Sequence, residues 1–195
     1  LPALTGWLDS IGQASFPAMM LDMYPRGALG AEPNEAGRDP FEILGWFDGG
    51  NYTIQRQTPM NNLWIQGGPR ARVFFHDDPR RAPTLNKTPL VKWNRRYVYI
   101  NSTHSMLPRR LNETYDAAKG EGPSGLLLHT KFLHTVVDRA STEKERKEHF
   151  ANSALYNDYY DGLSANPTLW CDHSTRLTGW RQLAAMGLMS KGTWL

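Results

Sequence analysis

An apolar run at residues 16–24, FPAMMLDMY, is the feature of this sequence that most constrains its fold. Its length and the aromatic residues at both ends favour a buried β-strand. The run contains a carboxylate, Asp22, and an unpaired carboxylate is costly to bury in a protein interior. We therefore expect Asp22 either to pair with a cation or to serve a function.

Strand patterns dominate the first two-thirds of the chain, around a loop-rich segment at residues 25–50. Residues 2–12 have helical periodicity. Further short strands are predicted at residues 52–56, 63–66, 72–75, 89–93, 97–101 and 126–129. Because only three residues separate the segments 89–93 and 97–101, these two segments suggest a hairpin or two adjacent strands.

Helical patterns dominate the last third of the chain. Helices are predicted over residues 132–139 and 178–189, and Ser141 or Thr142 is expected to cap another helix between them. Together these patterns predict a mixed α/β fold. Residues 1–130 would hold the sheet, and residues 131–195 would form a helical region packed on it.

The composition is that of an ordinary globular domain, with 195 residues, 21% charged and 40% hydrophobic. No run approaches the roughly 18 apolar residues of a membrane span, and no signal peptide is recognisable. We therefore expect a location in the cytoplasm or at the cytoplasmic face of the membrane. The lone cysteine, Cys171, is interpreted as a small buried hydrophobe. Arg and Lys are scattered among carboxylates in clusters no larger than pairs, so no nucleic-acid partner is expected.

Polar residues follow several of the predicted strands, where α/β proteins collect their ligands. His104 follows the strand at 97–101 and could ligate a metal or accept a proton; the alternative is a hydrogen-bonded surface histidine. His129 ends the last predicted strand, and Lys131 lies at the expected start of a helix, a position that suits phosphate or carboxylate binding. A structural role is the alternative for these two residues as well.

A second group of polar residues lies in the middle of the chain. The adjacent Gly67 and Gly68 would allow a ligand to approach the backbone, and Arg70 offers a fork that can bind phosphate or carboxylate. A simple turn explains the glycines equally well. Lys87 flanks the strand at 89–93 and faces either a diphosphate or solvent.

Six stretches resemble the C-terminal part of bacterial family 2-like glycosyltransferases, and their order and spacing agree over nearly the whole chain. They are MLDMYP at 20–25, GGPRARVF at 67–74, LNKTPLVKW at 85–93, STH at 102–104, GLLLHTKFL at 125–133 and WRQLAAMGLM at 180–189. The resemblance implies the C-terminal portion of a GT-A type mixed sheet with flanking helices. A nucleotide-sugar donor would bind there, with Mg²⁺ or Mn²⁺ bridging its diphosphate, and the sugar would pass to an unknown acceptor.

The same resemblance implies roles for individual residues. His104 would complete the metal shell, while the donor side of the site would comprise Gly67, Gly68, Arg70, Lys87, His129 and Lys131. A carboxylate would deprotonate the acceptor hydroxyl, and Asp77 and Asp78 lie in the corresponding part of the chain.

The family's acidic metal motif, Asp-x-Asp or Asp-Ala-Asp-Glu, does not occur in these 195 residues. We expect the motif upstream and interpret the chain as a piece of a larger enzyme, with a degenerate relative that no longer binds donor as the alternative. A further alternative is a non-catalytic glycan-binding or interaction module. Exposed Trp46, Trp64 and Trp93 would then serve as stacking platforms.

Overall fold

A computed structural model describes residues 1–112, 122–146 and 157–194. The fold is of mixed α/β class, as the sequence predicts, with small sheets and short helices. No helix in the described part of the chain is both long enough and apolar enough to cross a membrane.

The central sheet has three strands in the order β5, β1, β8. The middle strand, β1 (Ser15–Asp22), confirms the prediction from the apolar run, since nearly all its residues are buried. β5 (Asn86–Val91) pairs with it antiparallel, and β8 (Gly125–His129) pairs with it parallel. The parallel register sets Asp22 opposite His129 where both strands end. The sheet therefore brings two candidate residues together across a large sequence separation.

The other strands form two-stranded antiparallel pairs. They are β2 (Trp46–Asp48) with β9 (Ser174–Arg176), β3 (Tyr52–Gln57) with β4 (Asn62–Gly67), and β6 (Val98–Tyr99) with β7 (Met106–Leu107). The expected pairing between segments 89–93 and 97–101 is wrong. β5 pairs with β1 instead, and β6 pairs with β7.

The helices are α1 (Pro2–Ser10), α2 (Thr135–Arg146), α3 (Asn157–Ser164) and α4 (Trp180–Ala185). A helical C-terminal third is not evident, because β9 and irregular chain separate α3 from α4. The predicted cap at Ser141 or Thr142 is also wrong. α2 runs through both positions, so local capping preference gives way to a continuous helix.

The predicted strand at residues 72–75 is wrong, because the chain forms a π-helix over Arg70–Phe74. The aromatic side chains of this segment pack in a hydrophobic cluster with α2 and α3. Phe74 lies 6.0 Å from the Phe132 ring and meets Tyr159 edge-on at 4.9 Å. Packing therefore overrides the strand preference of this apolar run.

Candidate functional site

Asp22 and Arg70 form a buried ion pair at the end of β1. Arg70 donates from Nε to Asp22 Oδ2 at 2.6 Å and from Nη2 to Oδ1 at 2.8 Å. Burial alone would raise the pKa of Asp22, but the Arg70 charge and the hydrogen bonds from His129 and Arg70 hold this pKa at about 2. The carboxylate, only 1% exposed, is therefore ionised and fixes the orientation of the guanidinium group.

His129 joins this pair from the neighbouring strand. Its Nδ1 lies 2.8 Å from Asp22 Oδ1 and 3.1 Å from Arg70 Nη2. Because an ionised carboxylate only accepts, the consistent assignment is that Nδ1–H of His129 donates to Asp22, and the 3.1 Å approach of Arg70 Nη2 to the same nitrogen is then not a hydrogen bond. The other ring nitrogen, Nε2, then remains for a ligand.

Two glycines set the position of Arg70. β4 ends at Gly67 (φ 141°), and Gly68 follows (φ 65°), both in the region of positive φ that favours glycine. A Cβ on Gly67 would lie 2.0 Å from the Asn51 carbonyl oxygen, so no other residue fits this turn. The glycines turn the chain from β4 into the π-helix and thereby position Arg70.

Lys87 and His104 form a second pair of interacting side chains, joined by a hydrogen bond. Lys87 Nζ lies 3.0 Å from His104 Nε2, and His104 Nδ1 lies 2.6 Å from the Asn86 carbonyl oxygen. Nδ1–H therefore donates to the backbone, and Nε2 accepts from the ammonium group. Burial and the Lys87 charge lower the pKa of His104 despite the Asn86 hydrogen bond. Burial and the Arg70 charge lower the pKa of Lys87.

Arg70, Lys87, His104 and His129 line one cleft of about 730 Å³, which we call the cationic cleft. This volume is typical of small-molecule sites. Its basic and histidine side chains are Arg70, Lys87, His104, His129, Lys131 and Arg139. No Asp or Glu is among the described residues that line it, and the charge of this described lining favours an anion.

The cleft brings together five of the residues singled out in the sequence. Arg139 on α2 was missed, because an arginine on a charged helix gives no sign of which way the helix packs. Gly67 and Gly68 do not line the cleft, although they position Arg70. Both positions require glycine because a Cβ there would press against Asn51 or Tyr52, which lie at the start of β3.

Asp77 and Asp78 do not line this cleft either. Asp78 accepts from the Arg80 side chain at 2.9 Å and caps the short 3-10 helix Pro79–Arg81. Asp77 is highly exposed and lies beside His76. Neither carboxylate therefore has a described contact with the basic and histidine side chains that line the cleft.

The described donor set does not fit a divalent cation by itself. In the ranges that the structure describes, no three His, Cys, Asp or Glu side chains form a group that could hold a metal ion. His104 offers one nitrogen, and that nitrogen faces the Lys87 ammonium group. Mg²⁺ and Mn²⁺ prefer oxygen ligands, so His104 alone does not make a site for them.

A second cleft of about 500 Å³ lies beside Asp48 and Arg72. Arg72 donates to both carboxylate oxygens of Asp48, at 3.0 and 2.9 Å, and to the Leu169 carbonyl oxygen at 2.7 Å. The Tyr24 hydroxyl also donates to Asp48, and burial followed by this hydrogen bond raises the pKa of Tyr24. Nothing in the sequence indicated this network.

The second cleft also contains Cys171, which is half-buried rather than fully buried as predicted. Of the three tryptophans considered as stacking platforms, Trp46 and Trp64 are half-buried. Trp46 meets Trp170 edge-on at 6.1 Å. Only Trp93, at 62% exposure, presents most of its side chain to solvent.

No family model, curated protein or solved structure matches this chain. What the chain does must therefore follow from the chemistry of the site. The anchored Arg70 and the cationic side chains around it are the main features of that chemistry.

Proposed function

We propose that the chain is part of a bacterial glycosyltransferase and that its cationic cleft binds the diphosphate of a nucleotide-sugar donor. The observation that supports this most is the convergence of basic and histidine side chains from separate segments. Arg70 comes from the π-helix, Lys87 from β5, His104 from the turn after β6, and His129 and Lys131 from the end of β8. The sequence resemblance, with its implied GT-A type fold, supplies the choice of ligand.

The electrostatics of the cleft suit a diphosphate. Asp22 neutralises Arg70 but leaves the guanidinium group held in one orientation. Among the described residues no carboxylate pairs with Lys87, and its burial and repulsion from the nearby Arg70 charge lower its pKa. A bound phosphate would offset that repulsion and accept hydrogen bonds from the Lys87 ammonium group.

In the proposed reaction the acceptor hydroxyl attacks the anomeric carbon, and the bond from that carbon to the diphosphate breaks. The cationic side chains would stabilise the negative charge that develops on the leaving diphosphate. The hydroxyl proton passes to a carboxylate, for which Asp77 and Asp78 are candidates by chain position alone. Because the described residues do not form a cation site, no step is assigned to Mg²⁺ or Mn²⁺. We propose the cytoplasm, including the cytoplasmic face of the membrane, as the location.

Isothermal titration with UDP and GDP tests this proposal, with uridine and guanosine as ligands that lack phosphate. Each titration is run with and without Mn²⁺, and Lys87→Met is compared with Lys92→Met. Lys92 lies just beyond β5 but pairs with Asp9, outside the cleft. We expect one diphosphate to bind and Lys87→Met to weaken it about tenfold or more, while Lys92→Met leaves it unchanged. Absence of diphosphate binding, or equal loss in both variants, would contradict the proposal.

A non-catalytic glycan-binding module is the second candidate, and exposed Trp93 is the observation that favours it. Its expected platforms at Trp46 and Trp64 are half-buried, which leaves that module less stacking surface. This candidate is favoured over the transferase if the chain binds a glycan but neither UDP nor GDP, and if Trp93→Ala abolishes the glycan binding.

A further inference from the structure

The basic residues of this chain are unevenly distributed. Residues 79–112 contain eight Arg and Lys residues and no Asp or Glu. Outside this stretch, acidic residues outnumber basic ones, although the whole chain has a net charge of +3. The cations are therefore concentrated in one segment and are not scattered evenly among carboxylates.

The β6–β7 hairpin within this segment has an exposed apolar face. Val98 pairs directly with Leu107, so both side chains lie on one face. Ile100 N donates to the Ser105 carbonyl oxygen, which extends the ladder and places Ile100 on the same face as Val98. The three side chains are 49%, 39% and 48% exposed for Val98, Leu107 and Ile100 respectively.

The opposite face of the hairpin points into the protein. Met106 is fully buried, and the Tyr99 hydroxyl donates to the Thr88 carbonyl oxygen of β5 at 2.9 Å. The hairpin is thus attached to the central sheet through one face. Its three aliphatic side chains remain outside because of this attachment.

Two exposed arginines lie in the turn that leads into the hairpin. Tyr97 N donates to the Asn94 carbonyl oxygen, and this turn carries Arg95 and Arg96. Within the described residues neither arginine forms an ion pair, and Trp93 precedes them. We call Trp93, Arg95, Arg96, Val98, Ile100 and Leu107 the docking face.

We propose that the docking face binds the surface of an anionic phospholipid bilayer. Arginines are attracted to anionic lipid headgroups, tryptophan prefers the interfacial region, and aliphatic side chains enter the acyl boundary. A nucleic acid fits less well, because its phosphodiester backbone offers no partner for Val98, Ile100 and Leu107. His104 lies in the turn of the same hairpin and lines the cationic cleft, so docking would hold that cleft near the membrane surface.

Vesicle flotation tests the proposal on the chain as it is, independently of any nucleotide binding. The probes are vesicles of equal parts phosphatidylglycerol and phosphatidylcholine, and vesicles of phosphatidylcholine alone. We expect binding to the anionic vesicles only. Arg95→Glu with Arg96→Glu should weaken it at least about tenfold, because each cation near the surface contributes to the attraction. Val98→Ser with Ile100→Ser should weaken it about tenfold through lost apolar burial.

The matched charge control is Arg176→Glu with Arg181→Glu, which makes the same change in net charge at two exposed positions outside the docking face. It should retain vesicle binding, and melting curves identify any variant that fails to fold. The proposal is overturned by absence of binding to anionic vesicles or by equal loss in the control. Retention of vesicle binding by the Val98 and Ile100 variant, together with single-stranded RNA binding that depends on Arg95 and Arg96, would instead identify a nucleic-acid surface.

Discussion

The π-helix Arg70–Phe74 supplies arginines to two different clefts. Arg70 pairs with Asp22 at the end of β1, and Arg72 pairs with Asp48 at the end of β2. Both arginines donate from Nε and Nη2 to the two oxygens of one carboxylate. The two ion pairs therefore have the same local form, although their surroundings differ.

Around Arg70 the additional side chains are cationic groups and histidines, whereas around Asp48 they are hydrogen-bonding partners. Arg72 also binds the Leu169 carbonyl oxygen, and Tyr24 links Asp48 to Ser174 of β9. The Asp48–Arg72 pair and its partners thus connect β2, β9 and the π-helix. An ion pair in this chain therefore indicates a binding site only where the side chains around it leave charge for a ligand.

The largest expected effect is on stability, from Asp22→Asn. This change leaves the Arg70 guanidinium buried without its counterion and should lower the free energy of unfolding by about 3–5 kcal/mol. Asp48→Asn should cost less, about 1–2 kcal/mol, because Arg72 is 28% exposed and water can solvate it. Urea unfolding measures both. A larger loss of unfolding free energy in Asp48→Asn than in Asp22→Asn would contradict the expected order.

The pH dependence of stability should reflect the same difference. Asp22 has a folded pKa of about 2 against an ordinary value of 3.8, so its pair stabilises the fold above pH 4. That contribution, about 2 kcal/mol, is lost as the pH falls from 4 towards 2. The difference in unfolding free energy between wild type and Asp22→Asn should therefore shrink by this amount between pH 6 and pH 2. A constant difference would show that Asp22 is not held ionised.

Histidine substitutions compare the clefts by their ligand binding. His104→Ala removes a group from the cationic cleft and should weaken UDP binding about fivefold to tenfold. His173→Ala removes a group from the second cleft and should leave UDP binding unchanged. Isothermal titration measures both affinities. A stronger effect from His173→Ala would show that UDP binds in the second cleft, which contradicts the proposed site.

The smallest expected effect comes from Tyr24→Phe. It removes the hydroxyl that links Asp48 to Ser174 and should cost about 0.5–1 kcal/mol of unfolding free energy, because Arg72 still pairs with Asp48. UDP affinity should not change, since Tyr24 does not line the cationic cleft. Thermal melting with a parallel titration checks both statements, and a loss of affinity in a folded variant would count against the separation of the two clefts.

Some of the fold was predictable because its signal is local. The run at residues 16–24 is apolar enough to require burial on both faces, and it forms the central strand β1. The strands β2 and β9 have only three residues each and depend on partners more than 120 residues apart in the chain. The segment 72–75 has strand composition, but its aromatic residues pack on α3, so local preference gave the wrong element.

The candidate site was predictable as single residues but not as an arrangement. The cost of burying a carboxylate indicated that Asp22 needs a partner, and Arg70 is that partner. The sequence did not connect the two, because they lie 48 residues apart and meet only through the turn at Gly67 and Gly68. Arg139 reaches the cleft through the packing of α2, which periodicity does not specify.

The most direct test of the account is a titration of UDP into the isotopically labelled chain, followed by amide chemical shifts. We expect the shifts to change around the cleft residues Lys87, His104, Thr130 and Lys131. Amides around Asp48, Cys171 and His173 should stay in place. Changes confined to that second group, or no change at saturating UDP, would contradict the assignment of the anion site to the cleft beside Arg70.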